Sequence, residues 1–176
     1  KKFSKFKNII IIGMGGSILG TKSIYAFFKD RIKKKVFFFD NLDPNLNLKY
    51  KQLKNLKSTC YVVVSKSGNT LETITNMKAV FSKQAVKNKL IIITEITDNT
   101  LMKFANKYQA EVIEHKNFIG GRYSVLSETG MLPAKLFGLD IMKFKSLAKL
   151  IKNKKFIKYL IQNVATIYTL NTIGYK

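Results

Sequence analysis

The sequence is poor in the residues that build disulfides and structural metal sites. Its 176 residues include one cysteine, Cys60, and one histidine, His115. A single cysteine cannot form a disulfide within the chain, which favours a reducing compartment such as the cytoplasm. One histidine without a CxxC pair does not supply the usual ligands of structural zinc, so we expect no metal.

Long apolar runs are also lacking. No run reaches the ~18 residues that a membrane-spanning helix needs, and Ile9–Ile12 is too short for the core of a signal peptide. We therefore expect no contact with a membrane. The hydrophobic content of 46% is sufficient for one buried core. Because the sequence starts at Lys1 and stops shortly after an apolar stretch, we interpret it as a fragment of a longer protein.

Acidic residues are scarce, since Lys and Arg total 32 against 10 Asp and Glu, which gives a formal net charge of +22. Such a charge raises nucleic acid as a partner. Only Arg31 and Arg122 are arginines, however, and the lysines are scattered through every segment. Nucleic-acid sites favour arginine for bidentate contacts. We therefore expect no specific nucleic acid, and a basic nucleic-acid-binding protein is the less favoured alternative.

Short apolar runs that alternate with helix-like patterns predict the fold class. The predicted strands are Asn8–Ile12, Val36–Phe39, Tyr61–Val64, Leu90–Ile93 and Glu111–Ile113. Helical patterns between them indicate βαβ units. We predict an α/β fold with a doubly wound, flavodoxin-like, five-stranded parallel sheet of order 2-1-3-4-5, in three αβα layers. One of its helices is expected to begin at Pro44 and to carry Leu46, Tyr50, Leu53 and Leu56 on one side.

A polar segment, the hydroxyl loop (Ser65–Thr73), follows the third predicted strand. Its polar or flexible residues are Ser65, Lys66, Ser67, Gly68, Asn69, Thr70 and Thr73. The loop leads into the amino end of a helix, where backbone N–H groups and the helix dipole favour an anion. The side chains add hydroxyl, amide and ammonium donors. We interpret the loop as a phosphate cradle, and the simpler alternative is an ordinary helix N-cap.

A glycine-rich segment, the glycine loop (Gly13–Gly20), follows the first predicted strand. Glycines here let the backbone approach a ligand, and we expect Ser17 to cap the next helix. The dinucleotide fingerprint fails because Ile18 stands where a third glycine is required, and no stretch supplies the P-loop pattern. In the predicted strand order the first and third strands are neighbours. The glycine loop and the hydroxyl loop should therefore meet where such folds bind ligands.

A third notable segment, the arginine loop (Asn117–Ser127), contains Gly120 and Gly121 directly before Arg122. Two glycines allow a tight turn that aims one guanidinium. The alternative is a surface loop whose arginine pairs with a nearby carboxylate. We interpret His115 as a strand-end residue rather than a catalytic base, and Cys60 as a core residue.

Taken together, these segments resemble a known enzyme family. Ile12–Gly20, Val64–Thr73 and Ile119–Ser127 are similar, in order and spacing, to the motifs of the phosphoglucose isomerase family. The stretch from Gly130 to Asp140 is also similar. The pattern Gly-Gly-Arg-Tyr-Ser is specific to that family, whereas Ser-Lys-Ser-Gly is shared by sugar-isomerase (SIS) domains in general.

The resemblance implies a role for each loop. Gly16 and Ser17 would line the sugar phosphate site, and Arg122 would stabilise an enediolate intermediate. The phosphate would be held by residues of the hydroxyl loop, namely Ser65, Lys66, Ser67, Gly68, Asn69, Thr70 and Thr73. Asn69 and Glu128 depart from the family pattern, in which a threonine and a small residue are usual.

The resemblance also implies an aldose–ketose isomerase that interconverts glucose 6-phosphate and fructose 6-phosphate. It implies no metal or organic cofactor and a homodimer at full length. We expect an SIS domain over residues 1–145 and a helical segment over residues 146–176 that leads into a missing subdomain. The family's glutamate base lies downstream without a match here, so the chain should bind a sugar phosphate without isomerising it. A SIS module that senses a phosphosugar without catalysis is the alternative.

Overall fold

The computed structural model describes residues 2–3, 5–45, 56–81 and 86–174. These residues form two compact units, Lys1–Leu139 and Asp140–Lys176. The predicted change from SIS domain to helical segment, at residue 145, falls a little after this division. The helix predicted to start at Pro44 runs mostly through residues 46–55, which lie outside the described residues, and Leu56 opens a 3₁₀ turn.

The first unit is built on a five-stranded parallel sheet. Its strands are β1 (Asn8–Gly13), β2 (Lys35–Phe39), β3 (Thr59–Val64), β4 (Leu90–Thr94) and β5 (Glu111–Glu114). The strand order is β2-β1-β3-β4-β5, and every neighbouring pair is parallel. Every residue of β1, β3 and β4 is buried, as apolar runs covered on both faces require. The predicted fold class and strand order are confirmed.

Helices and 3₁₀ turns connect the strands. Among the described residues of the first unit, the α-helices are α1 (Gly16–Phe27), α2 (Leu71–Phe81), α3 (Thr100–Tyr108) and α4 (Glu128–Leu136). The 3₁₀ turns cover Lys29–Arg31, Leu56–Ser58 and Gly121–Leu126. The last of these turns carries Arg122, directly before α4.

Alternation along the strands distributes the core over both faces of the sheet. One cluster joins side chains from Ile10, Tyr61 and Ile92 to Met77 of α2 and Leu101 of α3. The opposite face is covered by α1. The centroid of its Tyr25 ring lies 5.5 Å from that of Phe38 and 5.8 Å from that of Phe137, the residue that follows α4. Helices therefore cover both faces, which gives the three-layer arrangement.

The second unit is helical, with a 3₁₀ segment (Ile141–Leu147), α5 (Ala148–Lys152) and α6 (Lys154–Thr172). Asn153 caps α6, because its side-chain oxygen accepts hydrogen bonds from the backbone N–H groups of Lys155 and Phe156. Many apolar side chains of α6 are exposed, including Ile167 and Tyr168. In the part of the chain that the structure describes, no helix is long and apolar enough to cross a membrane.

One close approach between backbones positions the arginine loop. A Cβ atom at Gly16, in the first turn of α1, would lie 2.5 Å from the carbonyl carbon of Gly121 and 2.8 Å from the backbone nitrogen of Arg122. Any side chain at this position would have to displace backbone atoms. Glycine at position 16 thus lets the start of α1 lie directly against the turn that carries Arg122.

We expect Gly16→Ala to reduce the free energy of unfolding by about 1–3 kcal/mol, the usual cost of forcing an extra carbon into a packed site. Gly121→Ala is the matched control, since its Cβ would make only an ordinary contact, 3.7 Å from the Cα of Gly16. Urea unfolding of both variants gives the measurement. Equal stability of the two variants would contradict the close approach.

Candidate active site

The glycine loop and the hydroxyl loop leave the sheet at the same edge. In the register of β1 with β3, Gly13 is paired with Val64, the last residue of each strand. Both loops then lead into the amino ends of helices, α1 and α2. Helix amino ends carry unpaired N–H groups and partial positive charge. The edge between β1 and β3 is therefore suited to an anion, at the place where the strand order reverses.

The hydroxyl loop is a tight, internally bonded turn. The Ser65 and Thr70 hydroxyl oxygens lie 2.9 Å apart, and the Gly68 N–H donates to the Ser65 carbonyl over 3.2 Å. Gly68 has a φ of +67°, a conformation that glycine adopts without strain. The Thr70 carbonyl accepts the first hydrogen bond of α2, from the Ile74 N–H. Ser67 is exposed at the tip, where its Oγ accepts from the Asn69 N–H.

The start of α3 supports this turn from behind. The Asn69 Oδ1 accepts hydrogen bonds from the Thr100 N–H at 2.9 Å and from the Thr100 hydroxyl at 2.8 Å. The Leu101 N–H donates to the Gly68 carbonyl, and a Cβ atom at Gly68 would lie 2.1 Å from the Asn99 Oδ1. The side-chain oxygen of Asn69 is thus occupied in holding the loop, a contact that the sequence did not predict.

Two other residues of the predicted cradle, Thr73 and Lys66, are buried or bonded to another segment. Thr73 is fully buried in the first turn of α2, and its hydroxyl has no hydrogen-bond partner among the described residues. The Lys66 ammonium donates to the Asn117 carbonyl at 2.5 Å and lies 3.7 Å from the Glu95 carboxylate. Lys66 therefore connects the hydroxyl loop to the arginine loop. The phosphate contacts assigned to both residues stay predictions.

Ser17 does not cap α1, so that prediction is wrong. The N-cap position is held by Gly15, with a φ of +51°, and no side chain caps the helix. The positive φ at Gly15 places Ser17 one residue inside the first turn rather than in front of it. In the described part of the chain the Ser17 hydroxyl forms no hydrogen bond and is partly exposed. It is therefore available to a ligand at the amino end of α1.

Arg122 is exposed within the 3₁₀ turn Gly121–Leu126. The turn is held by the Ser124 hydroxyl, which donates to the Gly121 carbonyl at 2.7 Å. Among the described residues the guanidinium forms neither an ion pair nor a hydrogen bond. The alternative in which a nearby carboxylate neutralises Arg122 is therefore not seen. A free guanidinium beside the amino end of α1 can bind an anionic group in a bidentate manner.

The remaining titratable groups near these loops are less accessible. His115 follows β5 as predicted, with a fully buried side chain, and its Nδ1 lies 3.1 Å from the Glu128 Oε1. Glu72 lies in the first turn of α2. Burial in β3 raises the pKa of Cys60 to about 12, so the thiol is protonated and unreactive at neutral pH. No three His, Cys, Asp or Glu residues of the described ranges are grouped as a metal site.

Sequence reasoning missed the contact between His115 and Glu128, because the two residues are separated by the whole arginine loop. The available signal was that Glu128 stands where the resembling family has a small residue. That departure, together with His115 as the only histidine of the chain, could have indicated a contact between the two residues.

The chain is similar to known proteins over nearly its whole length. The family model for phosphoglucose isomerase matches residues 1–175. The glucose-6-phosphate isomerase of Methanocaldococcus jannaschii is 32% identical over 90% of this chain, and that of Borreliella afzelii is 34% identical over 98%. The chain spans 41% and 36% of the length of these two relatives.

A solved structure gives the same result. The glucose-6-phosphate isomerase of Chlamydia trachomatis superposes with a TM-score of 0.66 and 30% sequence identity, over 77% of this chain and 27% of that one. The family model covers almost every residue, so all three loops lie within one matched region. This chain is a member of the phosphoglucose isomerase family.

Proposed function

We propose that the chain supplies the sugar-phosphate-binding part of a glucose-6-phosphate isomerase. The observation that carries the proposal is Arg122, which is unpaired among the described residues and lies in a turn packed against Gly16, at the edge where the hydroxyl loop and the start of α1 meet. Relatives that span more than twice the matched length bear the name glucose-6-phosphate isomerase. The reaction is the interconversion of glucose 6-phosphate and fructose 6-phosphate.

The phosphate is proposed to lie at the amino end of α2. The exposed Ser67 and the half-buried Thr70 present hydroxyls there, and the first-turn N–H groups of α2 add donors and a favourable dipole. Because the turn is already closed by its own hydrogen bonds and by α3, little ordering is needed when the anion arrives. Ser17, at the neighbouring helix start, would contact the same ligand.

Arg122 is proposed to act on the reacting end of the sugar. Isomerisation moves a proton from C2 to C1 of the aldose, or back, through an enediolate that carries negative charge. A guanidinium aimed at the enediolate oxygens stabilises charge that is absent in the ground state, which is electrostatic catalysis. A residue with this task must be free of other carboxylates, as Arg122 is among the described residues.

The proton transfer itself has no suitable base among the described residues of the site. His115 is fully buried, and Glu128 lies against it. Glu72 lies in the first turn of α2, at the phosphate end of the proposed ligand and not at the carbons that exchange the proton. We infer that the base comes from a segment outside this chain, and that the chain alone binds substrate without turnover.

A phosphosugar-sensing SIS module is the second candidate, and it is favoured by the lack of a suitable base among the described residues. Such a module needs the hydroxyl loop but not an arginine directed at an intermediate. Localisation in the cytoplasm is supported by the single, buried Cys60. The homodimer at full length and the lack of a nucleic-acid partner stay predictions.

We expect the double variant Ser67→Ala, Thr70→Ala to bind glucose 6-phosphate at least about tenfold more weakly, since hydrogen bonds to charged groups contribute ~1.5–3 kcal/mol each. Titration calorimetry on the 176-residue chain measures the affinity. Ser23→Ala is the control, because the Ser23 hydroxyl lies on α1 and donates to the Leu19 carbonyl. Unchanged affinity in the double variant would place the phosphate elsewhere.

In a complete enzyme that contains this chain, Arg122→Lys keeps the charge but removes the planar fork. We expect kcat to fall with little change in KM, the pattern of an interaction made mainly in the transition state. Arg31→Lys, at the only other arginine, is the matched control and should leave both constants unchanged. If Arg122→Lys raises KM alone, Arg122 binds the ground state instead.

The purified 176-residue chain should bind glucose 6-phosphate and show no isomerase activity in a coupled assay. General base catalysis contributes ~10²–10⁴-fold, so its loss leaves the rate near background. Turnover in the ordinary enzyme range of ~1–10³ s⁻¹ would show that the base lies within the chain.

A further inference from the structure

A buried histidine and a glutamate bracket the arginine loop. His115 directly follows β5, and Glu128 is the first residue of α4. The His115 side chain is 0% exposed and that of Glu128 is 19% exposed, with 3.1 Å between the His115 Nδ1 and the Glu128 Oε1. Every residue of the chain between these two belongs to the segment that presents Arg122. The contact therefore closes the base of that segment.

The histidine end of this contact is fixed to the sheet. The backbone N–H of His115 donates to the Thr94 carbonyl at the end of β4. The ring Nδ1 lies 3.2 Å from the Lys116 carbonyl oxygen. With two oxygens within 3.2 Å, the Nδ1 must carry the ring proton. Its hydrogen-bond direction is taken by the Lys116 carbonyl, and the Glu128 oxygen has no directed hydrogen bond. The attraction to Glu128 is thus mainly electrostatic.

The glutamate end is packed against the turn that carries Arg122. The Ser127 and Thr129 hydroxyls, on either side of Glu128, both donate to the Ser124 carbonyl at 2.7 Å. A Cβ atom at Gly130 would lie 1.9 Å from the Val125 carbonyl oxygen. With no room between α4 and the 3₁₀ turn, a displacement of Glu128 must be transmitted to the turn.

The pair is costly in its surroundings. Both the Glu128 Oε1 and the His115 Nε2 are buried without a hydrogen-bond partner among the described residues, and buried polar groups without partners are unfavourable. A buried polar contact of this kind can select one arrangement of the groups around it. Full burial keeps His115 away from substrate, so its role is to position other residues.

We propose that the contact between His115 and Glu128 is a positioning pair that sets the placement of Arg122 for recognising the negatively charged enediolate. The proposal rests on the proposed function, since it assigns to the pair the geometry of that same site. Gln at position 128 preserves the size of the side chain and removes its charge, so it tests the electrostatic contact with little change in packing.

The first measurement is amide hydrogen exchange in the 176-residue chain. We expect Glu128→Gln to accelerate exchange at Tyr123 and Ser127, whose N–H groups form hydrogen bonds within the arginine loop, by about tenfold or more. Exchange at Ile74 in α2 should stay unchanged, which excludes a global loss of stability. Glu114→Gln is the matched control. Glu114 directly precedes His115, and the substitution removes only its exposed ion pair with Lys116.

The second measurement separates the two ends of the ligand. A pentonic acid 5-phosphate carries a carboxylate in place of the enediolate oxygens, whereas inorganic phosphate tests the hydroxyl loop alone. We expect Glu128→Gln to reduce the affinity for the pentonic acid phosphate by about fivefold or more, since the binding of transition-state-like ligands depends most on preorganised charge. The affinity for inorganic phosphate should be unchanged, and Glu114→Gln should alter neither affinity.

The outcomes are distinguishable. Unchanged exchange at Tyr123 and Ser127 in Glu128→Gln overturns the positioning pair, and so does equal weakening of both ligands. If exchange is accelerated but the affinity for the pentonic acid phosphate is unaltered, the pair of His115 and Glu128 has no role in recognising the enediolate. If the unaltered chain binds neither ligand, the proposed function fails, while the exchange data still decide whether the pair holds the arginine loop.

Discussion

The parallel pairing of β1 with β3 is the constraint on which the candidate site depends. Because Gly13 is in register with Val64, the glycine loop and the hydroxyl loop leave the sheet side by side, and each starts a helix. A shift of register would separate the two helix amino ends. Both strands are buried along their whole length, so a slip of either strand would displace side chains that are packed on both faces of the sheet. Core packing thus sets the geometry of the site.

The arginine loop is joined to this edge by contacts that need very small groups. Gly16 lies against Gly121 and Arg122, and Gly130 lies against Val125. The Lys66 ammonium adds a polar connection to Asn117. Each contact joins segments that are distant in the sequence, so the three loops form one structure only when the whole first unit is folded.

The sequence was sufficient to predict the fold class, the strand order and the three loops, because these follow from apolar periodicity and from glycine and hydroxyl positions. It failed where a long-range contact decides the role of a side chain. Ser17 was expected to cap α1, but the positive φ of Gly15 moves the cap position. Periodicity does not identify neighbours that are distant in the sequence. Three features depend on such neighbours: the hydrogen bond from Thr100 to Asn69, the burial of Thr73, and the contact of His115 with Glu128.

The mutual hydrogen bond of Ser65 and Thr70 has a consequence for selectivity. In the absence of a ligand one hydroxyl donates to the other, so a neutral sugar hydroxyl would exchange that bond for another of similar strength. A dianion accepts from both donors through charge-assisted bonds, which are roughly twice as strong as neutral ones. The closed pair therefore favours an anion over a neutral hydroxyl at this edge of the sheet.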